Sequence, residues 1–379
     1  HPRFLAFIPS APSEASVLFD LVVAASSLYG GSWLESAGAV YAENQALSWL
    51  VGLAGLPEAA GGAFVSGGTA GNLSALVAAR SAAAEKREHR PRRWALLATG
   101  RSHSSIQAAA DVMDVDVVLV EPDEHGRMTG SALGRRLDEL DEEQRDGLFA
   151  VVTTAGTTNL GVIDDLETIG FLAKTNDLWM HVDGAYGGAA LAAPSRRQLF
   201  NGIEHADSIV LDPHKWLFAP FDCAALIYRE PEVARRAHTQ HAGYLDPIND
   251  RDEWNPSDYA HHLSRRARGL PFWYSLATYG TDAYRDAIEK TLRVAEEAAR
   301  AVADRSYVEL LEEPTLSIVA FRRLGWQPAD YQAWSERMLA EGIAFVLPSV
   351  FEGETMLRLA IVNPATTIED IELILDQLA

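Results

Sequence analysis

The chain reads as an α/β protein with a large, mostly parallel sheet domain followed by a smaller C-terminal α+β domain. Between about Arg93 and Arg229, short apolar, β-branched runs alternate with amphipathic stretches of helix length, the rhythm of crossover units that build parallel sheets. Beyond about Pro271 the pattern changes to long helix, strand, helix, two strands and helix, which suits a separate α+β unit. With 379 residues, 48% of them hydrophobic, the chain is long enough to fill two cores.

In the first region the strand candidates are Trp94–Ala98, Val115–Val120, Leu148–Thr153, Leu178–Val182, Ser208–Leu211 and Ala224–Tyr228. The intervening Ser131–Arg145 and Leu166–Thr175 are too long for loops and rich in helix formers. In the second region we expect a helix at Thr281–Ala303, a strand at Thr315–Phe321, a helix at Ala329–Glu341, strands at Ile343–Leu347 and Met356–Val362, and a helix at Thr367–Leu378. His238–His262 has many Asp, Asn and Pro and no apolar period, so it reads as a long mobile loop of the kind enzymes place at their sites.

The charge balance narrows the partners. Against 53 Asp and Glu there are 32 Lys and Arg, a formal charge of −21, which repels nucleic-acid backbones and anionic lipid surfaces. The single cysteine, Cys223, lies in an apolar run and reads as a buried structural thiol, and no apolar stretch is long enough to span a bilayer. A reducing cytoplasm is the expected setting. His238, His241, His261 and His262 lack an accompanying set of carboxylates or cysteines, so no metal site is expected.

The strongest chemical signal is Asp212-Pro213-His214-Lys215-Trp216, directly after a strand run. Ligands in open α/β sheets collect beyond the carboxyl ends of strands, so Lys215 is aimed at a site. Its apolar and aromatic flanks should desolvate the amine, lower its pKa and favour the neutral form that makes an imine. His181-Val182-Asp183 ends another strand run, where a buried carboxylate suits a pyridine nitrogen that must stay protonated. Ser66-Gly67-Gly68-Thr69-Ala70-Gly71-Asn72 precedes a helical stretch and reads as a phosphate cup without the Gly-Lys-Ser/Thr ending of a nucleotide P-loop.

Taken in order, Ser66–Thr69, His103-Ser104-Ser105, Gly156-Thr157-Thr158, His181–Asp183 and Asp212–Trp216 resemble the group II decarboxylases that depend on pyridoxal 5'-phosphate (PLP), the family of aromatic-L-amino-acid and glutamate decarboxylases. The opening His1–Ser10 is similar to that family's His-Pro-x-Phe-x-Ala-Tyr-x-Pro segment. The resemblance implies the PLP-dependent transferase fold of type I. It also implies a remnant of a dimer-wrapping segment at 1–13, a large PLP-binding domain at 14–275, a small domain at 276–379, and a homodimer.

Carried over by position, it implies that Lys215 attaches the cofactor, Asp183 pairs with the ring nitrogen, and His103 and Ala185 cover the two ring faces, with Thr158 near the ring substituents. Gly68, Thr69 and Ser208 should hold the phosphate, and His214 should contact the cofactor beside Lys215; Asp212 stands where the family often has Asn. Tyr244, in the long loop, coincides with the tyrosine held to return a proton to the α carbon. Phe7, Ile8, Pro9, Ser10 and Trp33 should line an apolar side-chain pocket, and Arg358 should meet the substrate carboxylate. The expected reaction is decarboxylation of an aromatic or bulky apolar L-amino acid to the amine. An aldehyde-forming variant, or an acidic or diamino acid substrate, is the alternative.

Overall fold

The computed structural model describes residues 1–379. Seven strands form the larger sheet: β1 (Gly61–Val65), β2 (Ala95–Ala98), β3 (Asp116–Leu119), β4 (Leu148–Thr154), β5 (Trp179–Asp183), β6 (Ser208–Leu211) and β7 (Ala224–Tyr228). Their order is β1-β7-β6-β5-β4-β2-β3. The pairs from β6 through to β3 are parallel, whereas β7 runs antiparallel to both β6 and β1. With only β7 reversed, β1, β2, β4, β5 and β6 all end on one edge, where their following loops converge.

Strands β2 to β7 coincide with the six apolar runs. The one that periodicity misses is β1, which opens with Gly61-Gly62. A β-carbon at Gly62 would lie 2.0 Å from the Leu226 carbonyl oxygen of β7, so the close approach of two backbones selects glycine and erases the β-branched signature. The stretch expected as one helix at Ser131–Arg145 is two, Gly130–Glu139 and Glu142–Gly147. The break comes at the extended Leu140, and Asp141 starts the second helix through a reciprocal capping box with Gln144.

The smaller sheet is antiparallel, β10-β11-β9-β8, from β8 (Val308–Leu310), β9 (Ile318–Arg323), β10 (Pro348–Phe351) and β11 (Glu354–Ala360). The strand expected at Ile343–Leu347 is displaced to β10, which pairs with β11 across a turn at Glu352-Gly353 where both residues take positive φ. Phe345 instead bridges Phe4, and the neighbouring Ala344 and Val346 are buried beneath the N-terminal segment.

That segment ties the two sheets together. Leu5 exchanges backbone hydrogen bonds with Phe345 and Ala360, while Ser10 Oγ donates to the Ala219 carbonyl at 3.0 Å and Ser16 Oγ to the Phe218 carbonyl at 3.1 Å, in the loop that follows Lys215. Four helices frame the ligand edge and its N-terminal tether: α1 (Glu14–Ser26), α2 (Trp33–Ala54), α3 (Gly68–Glu85) and α4 (Ser104–Met113). Helix α3 begins as soon as β1 ends, and its first turn lies against β6; a β-carbon at Gly71 would come 2.8 Å from a Val210 methyl. A buried ion pair, Glu43 with Arg265 at 2.7 and 3.0 Å, fixes α2, with Arg265 also donating to the Phe64 carbonyl of β1.

His238–His262 is irregular apart from single turns at Asp246–Asn249 and Pro256–Asp258, and its far end is anchored by Trp254 Nε1 donating to the Gly62 carbonyl at 3.1 Å. No helix is long and apolar enough to cross a membrane.

Candidate active site

On the shared strand edge lies a cavity of about 290 Å³. Its walls come from the Ser66–Thr69 loop after β1, Arg101 and His103 before α4, Thr154–Thr158 after β4, Asp183–Tyr186 after β5, and Asp212–Lys215 after β6. The structure thus brings Gly68, Thr69, His103, Thr158, Asp183, Ala185, His214 and Lys215 to one place. Ala185, Tyr186 and Phe221 are its hydrophobic walls and the remainder is polar.

Lys215 sits in the short helix Pro213–Trp216, which is held down by Trp216: its indole stacks on Tyr186 with centroids 5.4 Å apart and donates to Thr291 at 3.0 Å. The Lys215 side chain is 23% exposed and its Nζ lies 3.0 Å from Asp212 Oδ2. Burial alone would pull the amine down, as expected from its neighbours. The Asp212 and Asp183 carboxylates outweigh that effect and hold the amine above its ordinary value, so the expected lowering is corrected by carboxylates whose influence the flanking residues did not reveal.

Asp212 is a hub. Its Oδ2 also accepts the Gly68 amide at 3.2 Å and faces His214 Nε2 at 3.5 Å, while Oδ1 is buried without a partner. His214 is oriented by the Cys223 amide, which donates to Nδ1 at 3.0 Å, and burial pulls this histidine below its ordinary value. Asp183 is buried at the tip of β5; Oδ1 accepts the Ala185 amide at 3.1 Å and Oδ2 accepts Asn72 Nδ2 at 2.9 Å. His103 caps α4, its Nδ1 accepting the Ser105 amide at 3.2 Å.

Several expected residues lie elsewhere within the single chain. Ser208 is at the amino end of β6, fully buried, and its hydroxyl is taken up by Trp179 and His181, so it does not reach the cavity. Phe7 is 59% exposed and packs edge-on against Phe345; Ile8 packs on the large core, Pro9 is buried, and Ser10 is bonded to Ala219. Trp33 starts α2 beside Asn255. None of these lines the cavity, which is accordingly polar where an apolar lining was expected. Tyr244 is 73% exposed. Arg358 is buried on β11 with Nη1 lacking any hydrogen-bond partner. Residues not expected in the walls are Asn72, Tyr186, Arg101, paired with Glu352 at 3.2 Å, and Phe221, whose ring lies 4.5 Å from that of His214. Asn72, a turn into α3, ends the glycine loop in the sequence, and nothing in that local pattern marks it for a task of its own.

Comparison with known proteins points to one family. The family model described as the pyridoxal-dependent decarboxylase conserved domain matches residues 1–324. An aromatic-L-amino-acid decarboxylase of Bacillus atrophaeus is 31% identical over 98% of this chain and 79% of its own length. An L-2,4-diaminobutyrate decarboxylase of Rhizobium meliloti is 34% identical over 99% of this chain and 77% of that protein. Among solved structures, Oryza sativa TDC with PLP and tryptamine superposes with a TM-score of 0.90 at 25% identity, covering 100% of this chain and 83% of its own.

Proposed function

The chain belongs to the pyridoxal-dependent decarboxylase family and is a PLP-dependent amino-acid decarboxylase, and we propose that it converts an aromatic L-amino acid to the corresponding amine and carbon dioxide. The observation that carries the site assignment is that Asp183 ends one of two adjacent parallel strands, Lys215 follows the other, and both line one cavity.

The residues present fit the cofactor. The cavity holds an amine, an acceptor-only carboxylate fixed by two donors, and a glycine turn so close to Ala185 that a β-carbon at Gly68 would come within 3.1 Å of it. When bound, PLP supplies a protonated pyridine ring able to take up the electron pair left at the α carbon as carbon dioxide departs. Lys215 would be the amine for attachment, and Asp183 would keep the proton on the ring nitrogen. His103 and Ala185 would cover the ring faces, and Thr158 would stand near its substituents. His214, held beside Asp212, supports the lysine. The Gly68 amide is already given to Asp212 and the Gly71 amide to the Gly67 carbonyl, so the phosphate would fall to the Thr69 side chain and the Thr69 and Ala70 amides at the start of α3, with Gly68 leaving them room.

Tyr244 donates the proton to the α carbon once its loop closes, and the buried, unpaired Arg358 receives the substrate carboxylate. Phe7, Trp33 and Tyr244 act across a homodimer interface, where each chain completes its partner's pocket, while Ile8, Pro9 and Ser10 hold Phe7 in place within their own chain. That reading is supported by the apolar residues α1 leaves uncovered, Leu18 at 63% and Leu21 at 65% exposure.

Incubating the PLP-loaded chain separately with L-tryptophan, L-phenylalanine, L-glutamate and L-2,4-diaminobutyrate, with amine and carbon dioxide measured, tests the proposal. We expect an aromatic amine. Turnover of diaminobutyrate or glutamate alone overturns the substrate, and aldehyde with hydrogen peroxide overturns the product.

A further inference from the structure

Into the cavity wall at Asn72, Asp183 and His103 runs a chain of hydrogen bonds, buried in its middle and ending at the half-buried Trp179 and the exposed His103, whose directions are fixed by chemistry. It starts at Trp179, whose Nε1–H can only donate, and which stands 2.8 Å from Ser208 Oγ. Ser208 Oγ is 2.8 Å from His181 Nδ1, and His181 Nε2 is 2.9 Å from Asn72 Oδ1. Asn72 Nδ2 then reaches both Asp183 Oδ2 and Ser105 Oγ at 2.9 Å. Ser105 Oγ in turn lies 2.9 Å from His103 Nδ1.

One proton assignment satisfies every link. The Asp183 carboxylate only accepts, so the amino group of Asn72 faces it and the Asn72 oxygen faces His181. His181 must therefore carry its proton on Nε2. Burial holds this imidazole down to about 4, leaving it neutral, so Nδ1 is bare and the Ser208 hydroxyl donates to it. At the other branch, His103 Nδ1 already accepts the fixed Ser105 amide, so it too is bare and takes the Ser105 hydroxyl proton. The His103 proton is left on Nε2.

We infer that Asn72, oriented by His181, is a positioning residue that converts this chain into a one-way donor path, holding Asp183 as an acceptor toward the cofactor ring and His103 in its Nε2–H form. The inference rests on the reading that Asp183 meets the ring nitrogen. Asn72 is the branch point: one amide sets both the carboxylate on the ring edge and the imidazole on the ring face. Both oxygens of Asp183 then have one protein donor each and keep free lone pairs for the ring.

Histidine labelled with nitrogen-15 in the PLP-loaded protein reports the tautomers directly by long-range proton–nitrogen correlation, with His103→Gln and His181→Gln identifying the signals. Both residues should show a proton on Nε2 and a bare Nδ1; a protonated Nδ1 at either overturns the inference without any variant having to fold. PLP affinity supplies the second arm. Asn72→Asp, which puts acceptors where the donors stood, should weaken PLP roughly tenfold to a hundredfold. His181→Gln, which can still donate to Asn72, should stay within about threefold of the parent, whereas His181→Leu should lose as much as Asn72→Asp. Equal losses for Gln and Leu at 181, or parental affinity for Asn72→Asp, overturn the path. If Asp183→Asn leaves PLP affinity and absorbance unchanged, it is the ring-nitrogen reading that has failed; if Asp183→Asn weakens PLP and Asn72→Asp does not, the path alone has failed.

Discussion

Lys215 Nζ stands 3.0 Å from Asp212 Oδ2, and this contact, reinforced by Asp183, keeps the amine charged in a setting whose burial favours the neutral form. A lysine must be neutral to attack an aldehyde, so Asp212 governs how readily the cofactor is taken up. The raised value also has a sign for stability. The pair stabilises the fold fully below the unfolded lysine's pKa of about 10.4 and loses that contribution as pH rises through the higher folded value.

Asp212→Asn should therefore shift the pH midpoint of PLP loading downward, with faster loading at neutral pH. The Asn oxygen still accepts the Gly68 amide, so the loop is kept. Loading rates followed by absorbance across pH check this; an unmoved midpoint would show that Asp212 does not set the amine's charge.

Lys215→Ala should bind PLP reversibly, leave no borohydride-stable adduct and show no turnover, because affinity for the phosphate resides at the start of α3. Mass spectrometry after reduction reads the outcome. A stable adduct on another lysine would move the attachment point.

For Asp183→Asn we expect a fall in kcat on the order of 10²–10³ with the melting temperature little changed, since the neutral amide cannot hold the ring proton. An unchanged kcat would reduce Asp183 to a structural cap for the Ala185 amide.

Tyr244→Phe keeps the ring and removes the proton donor. Amine formation should slow by about 10²–10⁴, and in air the product should become aldehyde, ammonia and hydrogen peroxide. Product analysis decides it, and amine at the parental rate without peroxide would pass the role to another acid, with His103 next in line.

Leu21→Glu places a charge on the exposed apolar face of α1 and should leave the chain, proposed to be a homodimer, as monomers with loss of activity. Sedimentation velocity measures the state; a fully active monomer of the parent chain would sink the shared-site proposal.

The strand rhythm and the strand-end positions of Asp183 and Lys215 are legible in the sequence because both depend on local pattern: a buried parallel strand has to be apolar, and the residues just past its end have to face the ligand edge. Strand β1 is hidden because backbone contact with Leu226 demands Gly62. Ser208 misleads for a related reason: the run Ser208–Leu211 reveals a strand, but its hydroxyl is at the wrong end to face the cavity. The Lys215 charge depends on Asp212 and Asp183, and the second of these arrives from another strand. Asn72 closes a glycine loop in the sequence, yet its task emerges only when the fold brings it together with two other stretches, the end of β5 carrying His181 and Asp183 and the start of α4 carrying Ser105. Phe7, Trp33 and Tyr244 stand outside the cavity of one chain, as the proposed pocket shared across a two-fold axis requires of walls divided between copies.

The N-terminal segment has a mechanical consequence. Leu5 is stitched into the small sheet and Ser10 to the Ala219 carbonyl, just past the lysine. A chain extends at most about 3.5 Å per residue, so this leash limits the separation of its two anchor points to about 18 Å while both hold. The smaller sheet is thereby held to the loop that follows the lysine, and clipping the leash between Leu5 and Ser10 would remove that tie without touching a residue of the cavity wall.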